Sequence, residues 1–255
     1  MALQELSQKL DRLIRPQSFP IGIKILPESQ ALPEKATRPA RYNIQISLCQ
    51  WTTVARRWGR VVGVLAEDVN CSPCLAGLGL KKMQDRSVLS DYFLEMGYFD
   101  TKELAERAME ALDPLPPGAL AGVAMFPLDQ AQMDPDLIVI YGTPAQMARL
   151  AAGYVYHTGE LIASNTTGFG LSCLSLVKPF WTGKAAFVHP GRGERILAGT
   201  DETEMLFTFP AANLAALVDG LEKTHKKGSR YPIQSYMLYE PPQIPSVKAL
   251  ADKLT

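Results

Sequence analysis

Apolar positions along the chain follow two periods, and together they outline alternating helices and strands. Leu3, Leu6, Leu10 and Leu13 recur at three- and four-residue steps, the stripe of an amphipathic helix over residues 1–15. Residues 19–26 are a run of β-formers closed by Pro27, which predicts a strand followed by a turn-rich stretch to Ala40. Residues 47–58 return to helical spacing, with Ser47 as N-cap, Cys49 in the first turn and Gly59 as the stop. Residues 61–66 read as a buried strand that delivers Cys71 and Cys74 to a loop. The pattern over 78–97 is mixed, with two short helical pieces, and 101–112 is a clear helix before Pro114, Pro116 and Pro117 break the chain.

Two further apolar runs of strand length, 120–127 and 137–141, follow. The second meets Gly142, Thr143 and Pro144 and then a helical pattern over 145–157, a strand, tight turn and helix in succession. A glycine-studded stretch at 166–170 precedes Cys173, an apolar helix or turn leads to Trp181, and 185–189 reads as a strand. Residues 205–209 add a strand and 211–223 a long helix, after which a proline-rich tail is expected to wrap the surface. Two stretches rhyme: a helix near Cys49 leading to the strand at Val61, and a helix near Cys173 leading to the strand at Ala185. These elements predict an α+β fold in a single domain over 1–255, or two pseudo-related lobes at 1–130 and 131–255. Its sheets are expected to be mixed or antiparallel with helices packed outside, and a parallel doubly wound sheet is the alternative.

Composition narrows the function classes. Lys plus Arg and Asp plus Glu both number 26, and no basic stripe with interleaved aromatics is present, which argues against nucleic acid as a partner. The basic cluster at 223–227, with Arg230 nearby, suits the end of a helix, where cations complement the macrodipole. No window approaches the ~20 apolar residues of a membrane helix. The charged first helix is unlike an export signal, so a soluble, cytoplasmic protein is expected.

The concentrated chemistry lies in four cysteines: Cys49, Cys71, Cys74 and Cys173. Four are too few for a disulfide-stapled fold, so free thiols with a metal or redox role are the alternative to plain buried residues. Cys71 and Cys74 form a C-x-x-C pair, whose spacing lets both sulfurs reach one ion or cluster. The same pair could serve as a redox dithiol, because a C-x-x-C lying after a buried strand is the arrangement that depresses the pKa of its first thiol.

Other groups complete the inventory. His157, His189 and His225 lack metal-binding spacing, and His189 is the best placed for a ligand or proton because it precedes the Gly-Arg loop at 190–195. In that loop Arg192 and Arg195 could hold a carboxylate or phosphate beside two glycines, or the segment could be a plain turn between strands. Gln50 adjoins Cys49, and Arg56 follows one to two turns along.

An ordered series of short motifs covers nearly the whole chain. It comprises the FPIGIKIL strand; Cys49-Gln50 with Ala55, Arg56 and Gly59; Cys71 ahead of Leu78-Gly79-Leu80; the segment 136–141; and Cys173 with Pro179 and Gly183. Pro190, Gly191, Gly193 and Arg195, then Glu204 and Pro210, complete it. In this series the chain resembles the bacterial and archaeal family catalogued as domain of unknown function 169. The resemblance assigns no activity, but it supports Cys49, Cys71 and Cys173 as family cysteines and leaves Cys74 resting on the C-x-x-C spacing. Three thiolates would leave one iron of a [4Fe–4S] cluster open to substrate, and a fourth would close it.

The expectation is an iron–sulfur protein whose [4Fe–4S] cluster is held by Cys49, Cys71 and Cys173, with or without Cys74 as a fourth ligand, acting in redox or small-molecule chemistry. Its partners would be a small molecule or an electron-transfer protein, and a homo-oligomer is compatible. The alternatives are a zinc or thiol-disulfide protein using Cys71 and Cys74, and a non-catalytic module binding an anionic ligand through Arg192, Arg195, His189 and Gln50.

Overall fold

The strands are runs in which nearly every residue is buried, and the reason is that helices cover both faces of one sheet. The computed structural model describes residues 2–27, 31–80, 87–112, 118, 120–164, 166–168, 172–235 and 253. Six strands form the sheet: β1 (Ile21–Leu26), β2 (Val62–Leu65), β3 (Gly122–Pro127), β4 (Leu137–Gly142), β5 (Ala186–Val188) and β6 (Met205–Pro210). Their spatial order is β2-β3-β1-β4-β6-β5 and each neighbouring pair is antiparallel, which establishes the α+β class and overturns the parallel doubly wound alternative.

The described helices are α1 (Leu3–Ile14), α2 (Leu48–Trp58), α3 (Ser72–Gly77), α4 (Ser87–Glu95), α5 (Lys102–Leu112), α6 (Pro144–Tyr154), α7 (Ser172–Val177), α8 (Pro179–Thr182), α9 (Arg192–Ala198) and α10 (Leu214–Lys226). Alternation along each strand divides the core. Leu137, Val139 and Tyr141 of β4 join Ile21, Ile23, Val123 and Leu206 on one face, under α2, α3 and α7. Ile138 and Ile140 join Phe207 and Phe209 on the other, under α1, α6 and α10. There α6 and α10 cross so closely that a Cβ on Gly220 would lie 2.2 Å from the carbonyl oxygen of Gly153. A third cluster, Ala76, Leu89, Phe93, Met109 and Leu112, packs α4 and α5 beside α3.

The strand order is symmetric about the β1–β4 pair. In each half a central strand leads to a cysteine-bearing helix, an edge strand, a further helix and then the strand that inserts between the first two: β1, α2, β2, α3, β3 and β4, α7, β5, α9, β6. Both inserting strands end in Phe-Pro followed by a 3-10 turn, at Phe126-Pro127 and Phe209-Pro210.

Two local expectations need correction. Cys71 and Cys74 lie on a short helix, α3, with Cys71 at its N-cap, where a loop was expected. The segment at 190–195 is not a turn between strands, because Gly191 is the N-cap of α9 and Glu194 sits in its first turn. The proline-rich tail falls at 236–252 and 254–255, outside the described residues, as do residues 169–170 of the glycine-studded stretch.

Candidate thiol site

Two connecting segments bring the cysteines of the first half together. The chain entering α2 runs beside the chain entering α3 through a parallel bridge between Ile46 and Val69, with Ile46 N–H donating to Asp68 O at 3.3 Å and Asn70 N–H to Ile46 O at 3.4 Å. Asp68 has no exposed surface and fixes the second segment by accepting from the backbone N–H of Leu65 and Ala40 and from the Arg38 guanidinium. Ser47 ends the first segment in a capping box, its backbone N–H donating to Gln50 Oε1 at 2.9 Å. Cys49, three residues past Ile46, and Cys71, two past Val69, are thereby placed at adjoining helix starts.

Cys173 arrives from the other half in the first turn of α7, which Thr208 of β6 tethers by donating from Oγ1 to Leu176 O at 2.6 Å. All four cysteines line one cavity of about 290 Å³ between α2, α3, α7, α9 and the segment from α4 to Tyr98. Tyr92, Phe93, Met96 and Tyr98 form one wall, and Ile196 and Leu197 of α9 form an exposed rim.

The thiols are chemically unequal. Cys71, half-buried, is pulled down to about 7 by its side-chain hydrogen bond with Cys74, with further help from a backbone hydrogen bond. Cys74 is buried and stays protonated, its pKa pushed well up by hydrogen bonds to Cys173 and Cys71 and by burial. Cys173 Sγ lies 3.5 Å from Cys74 Sγ. Cys49 is pushed up to about 12, chiefly by burial, although the Ser47 hydroxyl 3.0 Å from its sulfur acts in the opposite direction.

Behind the thiols lies a buried polar network linking the two halves. Arg56 of α2 has no exposed surface and grips Glu204 with both terminal nitrogens, at 2.7 and 3.1 Å. Burial works against the charge on Glu204, but the hydrogen bonds from Arg56 and the Asp201 N–H and the nearby arginine charges outweigh it and hold the carboxyl below its usual range. The Arg56 guanidinium also stacks 3.9 Å from the ring centre of Tyr141. Tyr141 donates to Glu194 Oε1 at 2.7 Å, and Thr200 reaches the same oxygen at 3.3 Å. Glu194 itself lines the cysteine cavity.

The other sequence candidates separate. Arg192 lines the cavity from its exposed side. Arg195 points elsewhere, donating to Asp201 O. Gln50 is engaged as the cap of α2 and lines a neighbouring groove with Trp51 and Arg57. His189 is exposed just past β5 and is absent from the cavity wall. The sequence reading missed Glu194 and the aromatic wall of α4. The only local signal for Glu194 was an acid in the first turn of a helix capped by Gly191.

The donor set suits a soft metal or iron–sulfur centre, since four thiols face one space. As they stand, among the described residues no group of three or more His, Cys, Asp or Glu side chains is arranged to hold a single ion. No described helix is long and apolar enough to cross a membrane.

No solved structure matches the chain. A protein of Methanocaldococcus jannaschii, the uncharacterized protein MJ0308, is 29% identical over 131 residues, which is 51% of this chain and 56% of that protein. The chain therefore spans about half the length of the curated relative it matches. The sequence model of DUF169, described as an uncharacterised ArCR family, matches residues 9–220, and the chain belongs to that family.

Proposed function

We propose that the protein binds an iron–sulfur cluster through Cys49, Cys71, Cys74 and Cys173 and uses it in redox or small-molecule chemistry. The observation that carries this reading is that every cysteine of the chain, from three helix starts far apart in sequence, lines the same cavity. A dithiol would need only two of them. The space favours a polyatomic cluster over one zinc ion: the thiols are spread around about 290 Å³ and do not converge on a point. When bound, such a cluster supplies one-electron transfer, or a Lewis-acidic iron where a ligand position is open. To ligate it, Cys49 must turn away from Ser47, and Cys74 must part from Cys173. A small molecule or an electron-transfer partner would approach over the apolar rim of Ile196 and Leu197.

Iron and acid-labile sulfide in protein purified without oxygen test this. The expected result is ~4 of each per chain with broad absorbance near ~400 nm. The second reading, a redox dithiol, draws on the low pKa of Cys71 beside the protonated Cys74. It predicts colourless, iron-free protein with a reversible Cys71–Cys74 disulfide, and zinc without sulfide would select the zinc variant of that reading.

A further inference from the structure

We infer that Glu194 is the recognition group for a small amine that enters the cysteine cavity, an assignment that rests on this cavity being the working site. Glu194 is 4% exposed and lines the cavity. Its Oε1 is fixed by Tyr141 at 2.7 Å and Thr200 at 3.3 Å. Its Oε2 is buried and, among the described residues, has no hydrogen-bond partner. A carboxylate oxygen taken out of water and left unpaired is costly, and native structures leave few of them without a purpose. Here a carboxylate that lines the cavity has one oxygen held rigidly and the other buried without a partner, the arrangement of an acceptor awaiting a donor.

The rest of the cavity selects the donor. Tyr92, Phe93 and Tyr98 supply aromatic rings, which attract cations through their faces and accept an apolar body. A carboxylate and three rings around one small space favour a protonated amine over a neutral or anionic ligand. Arg192, the cationic side chain of the wall, is exposed at the outer edge, where it would meet the far end of the ligand and leave the amine to Glu194.

Benzylamine is a suitable probe, joining one ring to one ammonium. Isothermal titration of anaerobically purified protein should give saturable binding, at least ten-fold weaker in Glu194→Gln. In that variant the amide oxygen can still accept from Tyr141 and Thr200, while a donor replaces Oε2. Melting temperature and iron content of the variant should match wild type. Should Glu194→Gln fail to fold, wild type alone decides: benzylamine must bind at least ten-fold tighter than benzyl alcohol and must protect Cys71 of chelator-treated protein from alkylation. No saturable binding, equal affinity in Glu194→Gln, or equal affinity for benzyl alcohol overturns the inference. Lost amine binding with the cluster present sinks this inference alone, whereas absent iron and sulfide sinks the cluster reading and leaves the amine comparison standing.

Discussion

The two halves of the molecule follow one path and equip it differently. In each, a helix with a cysteine near its start, Cys49 on α2 and Cys173 on α7, lies between a central strand and an edge strand, with α6 before α7 and α8 after it in the second half. After the edge strand they diverge. The first half continues into α3 with Cys71 and Cys74, and the second into α9 with Arg192 and Glu194. The first half also inserts α4 and α5, of which α4 and the residues just after it wall the cavity, whereas α9 leads directly to β6. One scaffold thus presents three thiols from one half and Cys173, a carboxylate and a guanidinium from the other, and Arg56 on Glu204 ties the two across the core.

If the thiols of the first half are indispensable, Cys74→Ser should lose most of the bound iron, while Arg195→Ala on the second half, outside the cavity, should retain it. Iron assay of the two variants checks this, and Cys74→Ser with full iron would restore the three-ligand arrangement. Next in size is the tie between the halves. Arg56→Leu removes both of its hydrogen bonds to Glu204 and leaves that carboxylate with Arg57 at 3.2 Å, and should lower stability by ~1.5–3 kcal/mol in urea unfolding. The pH dependence has a definite sign. The carboxyl of Glu204 is held below its ordinary range in the folded protein. The stability it contributes is therefore present above the unfolded carboxylate pKa and is lost as pH falls through the folded one, and Arg56→Leu should make that acid limb shallower, with Arg57 retaining part of it.

The opposite face of the sheet is a control for both. Gly220→Ala forces a methyl group against the carbonyl of Gly153 and should cost ~1–3 kcal/mol, with iron content unchanged in the folded fraction. The smallest expected effect separates the thiols themselves. In chelator-treated protein, alkylation of Cys71 should reach half its maximal rate near pH 7, following its lowered pKa of about 7, while Cys49, raised to about 12, stays unreactive through neutral pH. Peptide mapping after iodoacetamide treatment distinguishes them.

Much of the fold was legible because local signals agreed with it. Ser47 and Gly59 bracket α2 as their chemistry requires, and the apolar runs became strands in each case. The site was half legible. Cysteines advertise themselves by residue type, so all four could be proposed, but the ranking that placed Cys74 last came from motif resemblance. The structure puts Cys74 3.5 Å from Cys173 and in a hydrogen bond with Cys71, with Cys49 turned toward Ser47. Glu194, Tyr141 and Arg56 converge only through strand order and helix packing, 85 residues separating Arg56 from Tyr141 and 53 separating Tyr141 from Glu194 (141 − 56 and 194 − 141). No local pattern encodes such a meeting.

The most direct test of the central claim is low-temperature electron paramagnetic resonance of anaerobically purified wild-type protein before and after reduction with dithionite. A cluster held by the four cysteines predicts bound iron with inorganic sulfide and a paramagnetic signal that appears on one-electron reduction. Protein that is iron-free and silent in both states, with its four thiols fully titratable, would contradict it.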